Sequence, residues 1–530
     1  MPAPGRLRAA ELLLMAAAGL LQTLAFVHTQ AWPLPLLAIA LLAWRVGLAS
    51  PRRAAALGWV FGCAWVAAST WWLFISLHRY GQLPALMAVA AVLLLAGVLA
   101  LYLALGMAWV AHRRSGSPGR DALRFAAAWL AAELARAVFF TGFPWASSGY
   151  NQVDGPLAVL APWVGVYGMG AWLAWAAAGM GMGLGAMFDA RFGAPGAKWR
   201  AGLTLVAVAV AAMMLPATWA IWRGAPEFSR PTGRLQVTLL QPNVAQDEKF
   251  AVEHLPATLA WVAQALLAAK ADLVLAPETA VPLLPEQLAE LAPGYWAGLQ
   301  DHFSRPGAPA ALIGVPLGSY QQGYTNSVLG LTAATPGAGY RYDKNHLVPF
   351  GEFIPTGFRW FTQMMGIPLG DFDRGVLNPP SFVFRGERIA PNICYEDLFG
   401  EELARRFGDE ASAPTMLANV GNIGWFGDTI AVAQHLNISR LRSLEFQRPM
   451  LRATNTGATA VVDHRGVVTA QLAPFTQGVL SAAVQGRDGL TPFARWSAAA
   501  GLWPLWALAA LGLAWPARRA PTRRRPALAR

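Results

Sequence analysis

Three residues in this chain each follow a strand-like run and carry a side chain able to do covalent chemistry. Glu278 follows Leu273-Val274-Leu275-Ala276-Pro277, Lys344 follows Tyr340-Arg341-Tyr342-Asp343, and Cys394 follows Ile389-Ala390-Pro391-Asn392-Ile393. A thiol, a carboxylate and an ammonium are the parts of acyl transfer through a thioester: nucleophile, proton acceptor and partner for the oxyanion. They stand 66 and 50 positions apart, so only a tertiary fold can unite them, and strand ends of α/β domains are where reactive side chains converge.

Two of the three are informative by scarcity. The chain has 2 cysteines, one of them Cys63 inside an apolar run, so Cys394 has no plausible disulfide partner and is either a buried inert thiol or a working nucleophile. Its lysines number only four, at 198, 249, 270 and 344, among 41 basic residues. Arginine serves where charge alone is needed; Lys344 is either an ordinary surface lysine or a compact ammonium wanted for an oxyanion. His346, His435 and His464 would suit a Cys–His protease, but none stands in an evident Asn or Asp partner motif.

The elements that must position these residues lie between about 230 and 490. Apolar, β-rich runs at 235–240, 272–276, 311–315, 327–331, 381–384, 388–393, 415–418 and 458–462 alternate with helical patterns at 253–270, 286–303, 399–407 and 428–446. Unalternated apolar strands between helices predict an α/β domain whose sheets are covered on both faces.

The rest of the chain is a different solvent problem. Of 530 residues 55% are hydrophobic and 13% charged, with mean hydropathy +0.38, about half the charge of an ordinary soluble protein. On the rule of about 20 apolar residues per crossing, seven spans are expected at 9–27, 31–49, 56–78, 84–111, 122–140, 160–187 and 201–222, and an eighth at 496–515. Arginines and lysines crowd every second joint and the tail, leaving essentially Arg79 in the others. The positive-inside rule therefore predicts both termini in the cytoplasm and residues 230–490 on the far side. The division is a bundle at 1–222, an exported domain at 230–490, a last span at 496–515 and a basic tail at 516–530. The net charge of +12 is accounted for by this topology and calls for no nucleic acid.

The motifs carry a family resemblance. Ala276-Pro277-Glu278-Thr279, Tyr342-Asp343-Lys344 through Glu352, and Asn392-Ile393-Cys394-Tyr395-Glu396-Asp397 resemble the Glu, Lys and Cys motifs of the nitrilase superfamily. Gly424-Trp425-Phe426-Gly427, Gly142-Phe143-Pro144-Trp145 and Gln152-Val153-Asp154-Gly155 extend the likeness. With its spans, nearly the whole chain resembles the apolipoprotein N-acyltransferase family, a branch embedded in the bacterial inner membrane.

The resemblance implies a multi-span bundle of eight transmembrane helices carrying a four-layer αββα domain in the periplasm. It implies transfer of a fatty acyl chain from a phospholipid, typically phosphatidylethanolamine, to the α-amine of a diacylglyceryl-cysteine on a lipoprotein, without metal or nucleotide. Cys394 would be the nucleophile, favoured as an anion by a helix start near Leu398. Glu278 would be the base and Lys344 the oxyanion partner, helped by a backbone N–H near Tyr395. Glu352 and Glu396 would support, with Tyr395 beside them.

Trp425, Arg136 and Phe358 are candidates for substrate contact. Phe358 belongs to an apolar stretch at 353–365 that reads equally as a lid or as core packing. Arg136, one helical turn from Glu133, reads as a contact for lipid phosphate or as half of a self-neutralising pair. Phe250 stands where the family has tryptophan. The other readings are a membrane-anchored amidase that resolves the thioester with water, and a lipid-binding protein with an inactive domain.

Overall fold

The structure, a computed structural model, describes residues 9–188, 195–334, 339–355, 357 and 371–516. Each apolar run expected to span is helical. The helices are Ala9–Val27, Pro33–Leu48, Pro51–Thr70 continued by Leu73–Tyr80, Ala85–His112, Pro118–Val138, Ala161–Phe188, Pro195–Arg223, and Pro492–Ala500 continued by Trp503–Ala514. Prolines at several helix starts sit where a missing N–H costs nothing.

Among the described residues five helices are long and apolar enough to cross a membrane, and seven if each bent pair counts as one span. This is fewer than the eight expected. Pro118–Val138 falls short because it carries Arg120, Asp121, Arg124, Glu133 and Arg136, whose charges the bundle absorbs: Arg124 pairs with Asp121, and Arg136 with Glu133. The third and last spans are not single rods, turning by 62° after Thr70 and by 88° after Ala500. Helices approach closely where side chains vanish, as at Gly181, where a Cβ would lie 1.9 Å from the Ala40 carbonyl oxygen.

The other part of the chain forms two six-stranded sheets. The first has the order β12 (Gly478–Asp488), β1 (Arg230–Gln241), β2 (Leu273–Ala276), β3 (Ala310–Ser319), β4 (Gly323–Leu331), β5 (Tyr340–Asp343). The second has β11 (Val468–Gln471), β10 (Ala460–Val462), β9 (Met450–Thr454), β8 (Met416–Gly421), β7 (Glu387–Ile393), β6 (Phe382–Phe384). Each sheet has three parallel strands at its heart, with Val237 opposite Leu273 and Leu273 opposite Ala310 in one, and Ile389 opposite Met416 and Leu417 opposite Met450 in the other.

The inner faces pack together through Val237, Leu239, Leu275 and Leu312 on one side and Ile393, Ala418, Val420 and Leu451 on the other. Leu255–Ala268, Pro285–Leu291 and Tyr295–Phe303 cover the outer face of the first sheet. Ala431–Phe446 lies on the second sheet and packs its far side into the bundle core through Ala431, Val432, Ile438 and Leu441. The result is the expected four layers, αββα.

The helix expected at 286–303 is two, broken at Pro293-Gly294, where Gly294 takes φ +79°. The one at 399–407 is two short turns, Gly400–Leu403 and Ala404–Phe407.

The two polar motifs between the fifth and sixth helices form the socket for this domain. Trp145 donates its indole N–H to Gln434 at 2.9 Å, Trp72 donates to the same oxygen at 3.0 Å, and Asp154 pairs with Arg440. Glu445 accepts the Val166 N–H at 2.7 Å, next to Gly165, whose φ of +65° interrupts the sixth helix.

Candidate active site

β2 is buried along its whole length and delivers Glu278 through Pro277 into a turn where Thr279 takes φ +47°. Oε1 of Glu278 accepts from Asn326 Nδ2 at 2.7 Å and lies 3.5 Å from Lys344 Nζ, while Oε2 accepts the Asn422 backbone N–H at 2.8 Å. Lys344 follows β5, its N–H bound to the Asn326 carbonyl at 2.8 Å. Its Nζ lies 2.9 Å from Glu352 Oε1, which also accepts from Asn326 at 2.9 Å. Glu352 Oε2 accepts the Val348 N–H at 2.8 Å, which fixes the carboxylate. Lys344 is 1% exposed; burial alone would lower its pKa, but the carboxylates of Glu352 and Glu278 outweigh it and raise it, so it stays charged.

Cys394 directly follows β7 with φ +52°, a left-handed conformation that costs a non-glycine residue energy and throws the side chain out of the strand line. The Asn422 N–H binds Glu278 and lowers the pKa of the neighbouring Cys394 thiol, so thiol and carboxylate lie side by side. Burial pushes the thiol up to about 12, the neighbouring Glu278 adding to the rise and Lys344 opposing it. The expected help from a helix start is not realised: Cys394–Leu398 is a five-residue 3-10 turn, and desolvation wins. The group therefore rests as a protonated thiol.

Glu396 ties the two halves together. It accepts from Tyr342 Oη at 2.6 Å, from the N–H groups of Asn345 and His346 at 2.8 and 3.1 Å, and from the Ile393 N–H at 2.7 Å. The loop bearing Lys344 is thereby stapled to the strand bearing Cys394. The Tyr395 ring turns away, its hydroxyl donating to the Gly142 carbonyl at 3.0 Å in the socket.

Trp425 is 41% exposed at the rim, edge-on to Tyr80 at 5.5 Å, three residues beyond Asn422. Arg136 is not brought to Glu278, Lys344 and Cys394: it is buried in the bundle, bound to the Ala146 carbonyl at 2.8 Å, 3.7 Å from Glu133 and 4.9 Å from the Trp65 ring. It forms the internal ion pair with Glu133. Phe358 and most of the 353–365 stretch lie outside the described residues. His346 binds Glu402 at 2.9 Å and His464 lies 3.7 Å from Glu227, so neither meets the thiol; His435 meets the Cys394 carbonyl, not its sulfur.

Sequence reasoning missed Lys249, Asn326 and Asn422. Lys249 is 3% exposed and donates to the Glu278 carbonyl at 3.0 Å; burial pulls its pKa down to about 8 against the pull of Glu278. The scarcity that singled out Lys344 applies equally to Lys249, and two of the four lysines meet here. Asn326 offered only the weak signal of an amide inside a strand.

Residues 18–179 match the family model of the apolipoprotein N-acyltransferase N-terminal domain, and residues 236–490 that of carbon-nitrogen hydrolase. The chain is 51% identical over 490 residues to an apolipoprotein N-acyltransferase of Verminephrobacter eiseniae (strain EF01-2), covering 89% of each chain. This chain belongs to the apolipoprotein N-acyltransferase family. A family member from Ralstonia nicotianae (strain ATCC BAA-1114 / GMI1000) is 46% identical over 488 residues, covering 91% of this chain and 89% of its own. One from Bordetella bronchiseptica (strain ATCC BAA-588 / NCTC 13252 / RB50) is 42% identical over 524 residues, covering 91% and 92%. As an apolipoprotein N-acyltransferase the chain is an acyltransferase enzyme with a nitrilase-type domain, and its apolar helices mark it as a membrane protein.

Proposed function

We propose that the enzyme moves a fatty acyl chain from a phospholipid, phosphatidylethanolamine first among them, to the α-amine of a diacylglyceryl-cysteine at a lipoprotein N-terminus. The observation that carries this is the meeting of Cys394 with the buried pair Glu278 and Lys344, the Glu278 carboxylate held by the Asn422 N–H.

In the first half-reaction Glu278 takes the thiol proton as sulfur attacks the ester carbonyl. The oxyanion forms beside the Lys344 ammonium and the Tyr395 N–H, and the ester C–O bond breaks as the proton passes to the leaving lysophospholipid oxygen. In the second the acceptor amine attacks the thioester, Glu278 takes its proton, and the thiol is restored as the amide forms. Glu352 and Asn326 hold Lys344 and Glu278 in register; Lys249 fixes the Glu278 backbone. Trp425 at the rim is the assigned contact for arriving lipid.

The catalytic domain, residues 230–490, faces the periplasm, with eight spans and both termini cytoplasmic. Support comes from the placing of charge. Glu11, Arg45 and Arg53 join at one end of the bundle, where Arg114 reaches the Ala49 carbonyl and Arg124 reaches that of Trp515. The socket for the catalytic domain is built from other joints, at Trp72 and residues 142–157.

The deciding experiment is intact-protein mass spectrometry of the purified enzyme incubated with phosphatidylethanolamine, beside Cys394→Ala. A hydroxylamine-labile acyl adduct on the wild type alone, stable in water and discharged by a diacylglyceryl-cysteinyl peptide, is expected. Discharge by water would make the enzyme a hydrolase; no adduct on folded protein would end the lipid-donor reading.

A further inference from the structure

The Cys394 carbonyl oxygen accepts from His435 Nε2 at 3.2 Å and from Asn419 Nδ2 at 3.3 Å. Both donors are buried, at 1% and 0% exposure. The arrangement fixes the imidazole's protonation. Arg452 donates to His435 Nδ1 at 3.1 Å, and a guanidinium has no acceptor to offer, so Nδ1 carries the lone pair and Nε2 the hydrogen. Arg452 is held by Asp397 at 3.3 Å, with Ser439 bonded to both. Burial and then Arg452 push His435 well below the usual histidine range, which keeps it neutral. On its other face the ring stacks on Trp145 of the membrane socket, 5.8 Å between centroids.

A trans peptide is planar, with its C=O and N–H pointing in opposite directions. Anchoring the Cys394 oxygen among His435 and Asn419 therefore aims the Tyr395 N–H the other way, off the helix side of the sheet. Among the described residues that N–H makes no backbone hydrogen bond beyond its own 3-10 turn. With Cys394 at φ +52° the peptide sits in a conformation that a non-glycine residue leaves readily unless something holds it.

We propose that His435 is a positioning residue of the acyl transfer: its Nε2–H, donated to the Cys394 carbonyl, holds the Cys394–Tyr395 peptide with the Tyr395 N–H aimed at the oxyanion. The assignment rests on Cys394 being the nucleophile of the reaction above. Without the anchor the peptide rotates, its carbonyl oxygen enters the oxyanion site, and the tetrahedral intermediate loses a donor. The Trp145 stack makes the same imidazole a link by which the membrane bundle sets the geometry of the hole.

The test separates steps that need an oxyanion from a step that does not, on the full-length enzyme in detergent. In the first, Cys394 sulfur attacks p-nitrophenyl butyrate, a thioester forms, p-nitrophenolate leaves and the thiol proton passes to Glu278. In the second, Cys394 displaces iodide from iodoacetamide, with no tetrahedral intermediate. For His435→Leu, acylation is expected to fall on the order of a hundredfold or more, with site-resolved alkylation within about threefold of wild type. His435→Gln, whose amide N–H can reach the same oxygen, is expected to regain at least tenfold of that loss.

Should His435→Leu not fold, His435→Phe keeps a ring against Trp145 without a donor and takes its place. Equal loss of acylation and alkylation, acylation unchanged in the donor-less variant, or no gain in His435→Gln would each overturn the assignment. Because the nitrophenyl ester needs no lipid, a wild type that takes the ester but not phosphatidylethanolamine would sink the lipid-donor reading and leave this comparison intact.

Discussion

Asn422, at the end of β8 in one sheet, gives its backbone N–H to Oε2 of Glu278, at the end of β2 in the other, 2.8 Å away. The carboxylate proposed to accept the proton is thus held from the sheet that carries the proposed nucleophile, and the two sheets cannot slide without pulling it from the thiol. Glu278→Gln keeps the shape of this contact and removes the acceptor for the proton. Cys394 acylation by phosphatidylethanolamine, followed by intact mass, should slow by about a hundredfold to ten-thousandfold. A variant within tenfold of wild type would assign the proton to another group.

Lys344 sits 2.9 Å from Glu352 and 3.5 Å from Glu278, with almost no room around it. Lys344→Arg preserves charge and still replaces a compact ammonium with a planar fork, so turnover should fall about a hundredfold or more. Lys344→Met leaves two carboxylates facing each other in a buried site, and should cost in addition about 3–5 kcal/mol of stability. Thermal unfolding beside turnover separates the two; an active Lys344→Arg enzyme would remove Lys344 from the oxyanion.

The Cys394 thiol, pushed up to about 12 by burial, keeps its proton far into alkali. An ordinary cysteine reaches full thiolate reactivity not far above its pKa of about 8.5. Site-resolved alkylation of Cys394 by iodoacetamide should instead still climb between about pH 9 and 10, since the thiolate fraction grows tenfold per unit below the pKa. A plateau near pH 9 would mean that the site stabilises the anion at rest.

Lys249 offers a stability signature. Its pKa is lowered from 10.5 to about 8 by burial, so between these values the unfolded chain binds a proton that the native chain does not. Stability from this group therefore rises with pH across that window. Comparing wild type with Lys249→Met by denaturant unfolding at pH 7.5 and 9.5, the difference should move in favour of the wild type at the higher pH. The variant should also lose about tenfold in turnover, as expected when one hydrogen bond holding the base is removed; a pH-independent difference would show that Lys249 keeps its charge.

The parts of the site legible in the sequence are those whose side chains act and whose strands are apolar enough to be seen. Glu278 and Cys394 each follow such a run, Lys344 follows the short strand β5, and Glu352 and Glu396 lie in the same motifs. Asn422 acts through its backbone N–H, which no side chain advertises. His435 was read for what its ring could do to sulfur, whereas it serves a carbonyl oxygen.

Strands β9, β11 and β12 escaped notice for a related reason. Arg452 interrupts the first, and the other two alternate exposed with partly buried residues like edge segments. Nor could composition show the turns after Thr70 and Ala500, because apolar residues continue through each break.

The helix Ala431–Phe446 has its apolar residues shared between a sheet and the membrane bundle, and Arg442 and Glu445, both unexposed, form an ion pair whose carboxylate also grips Val166 of the sixth helix. Cut free at residue 230, the catalytic half would carry that pair and a broad greasy face into water. The enzyme is therefore not modular in the way its two family matches suggest. A truncated soluble version is a worse starting point for inhibitor screening than the whole protein in detergent, and recombination that exchanged one half alone would have to rebuild this contact first.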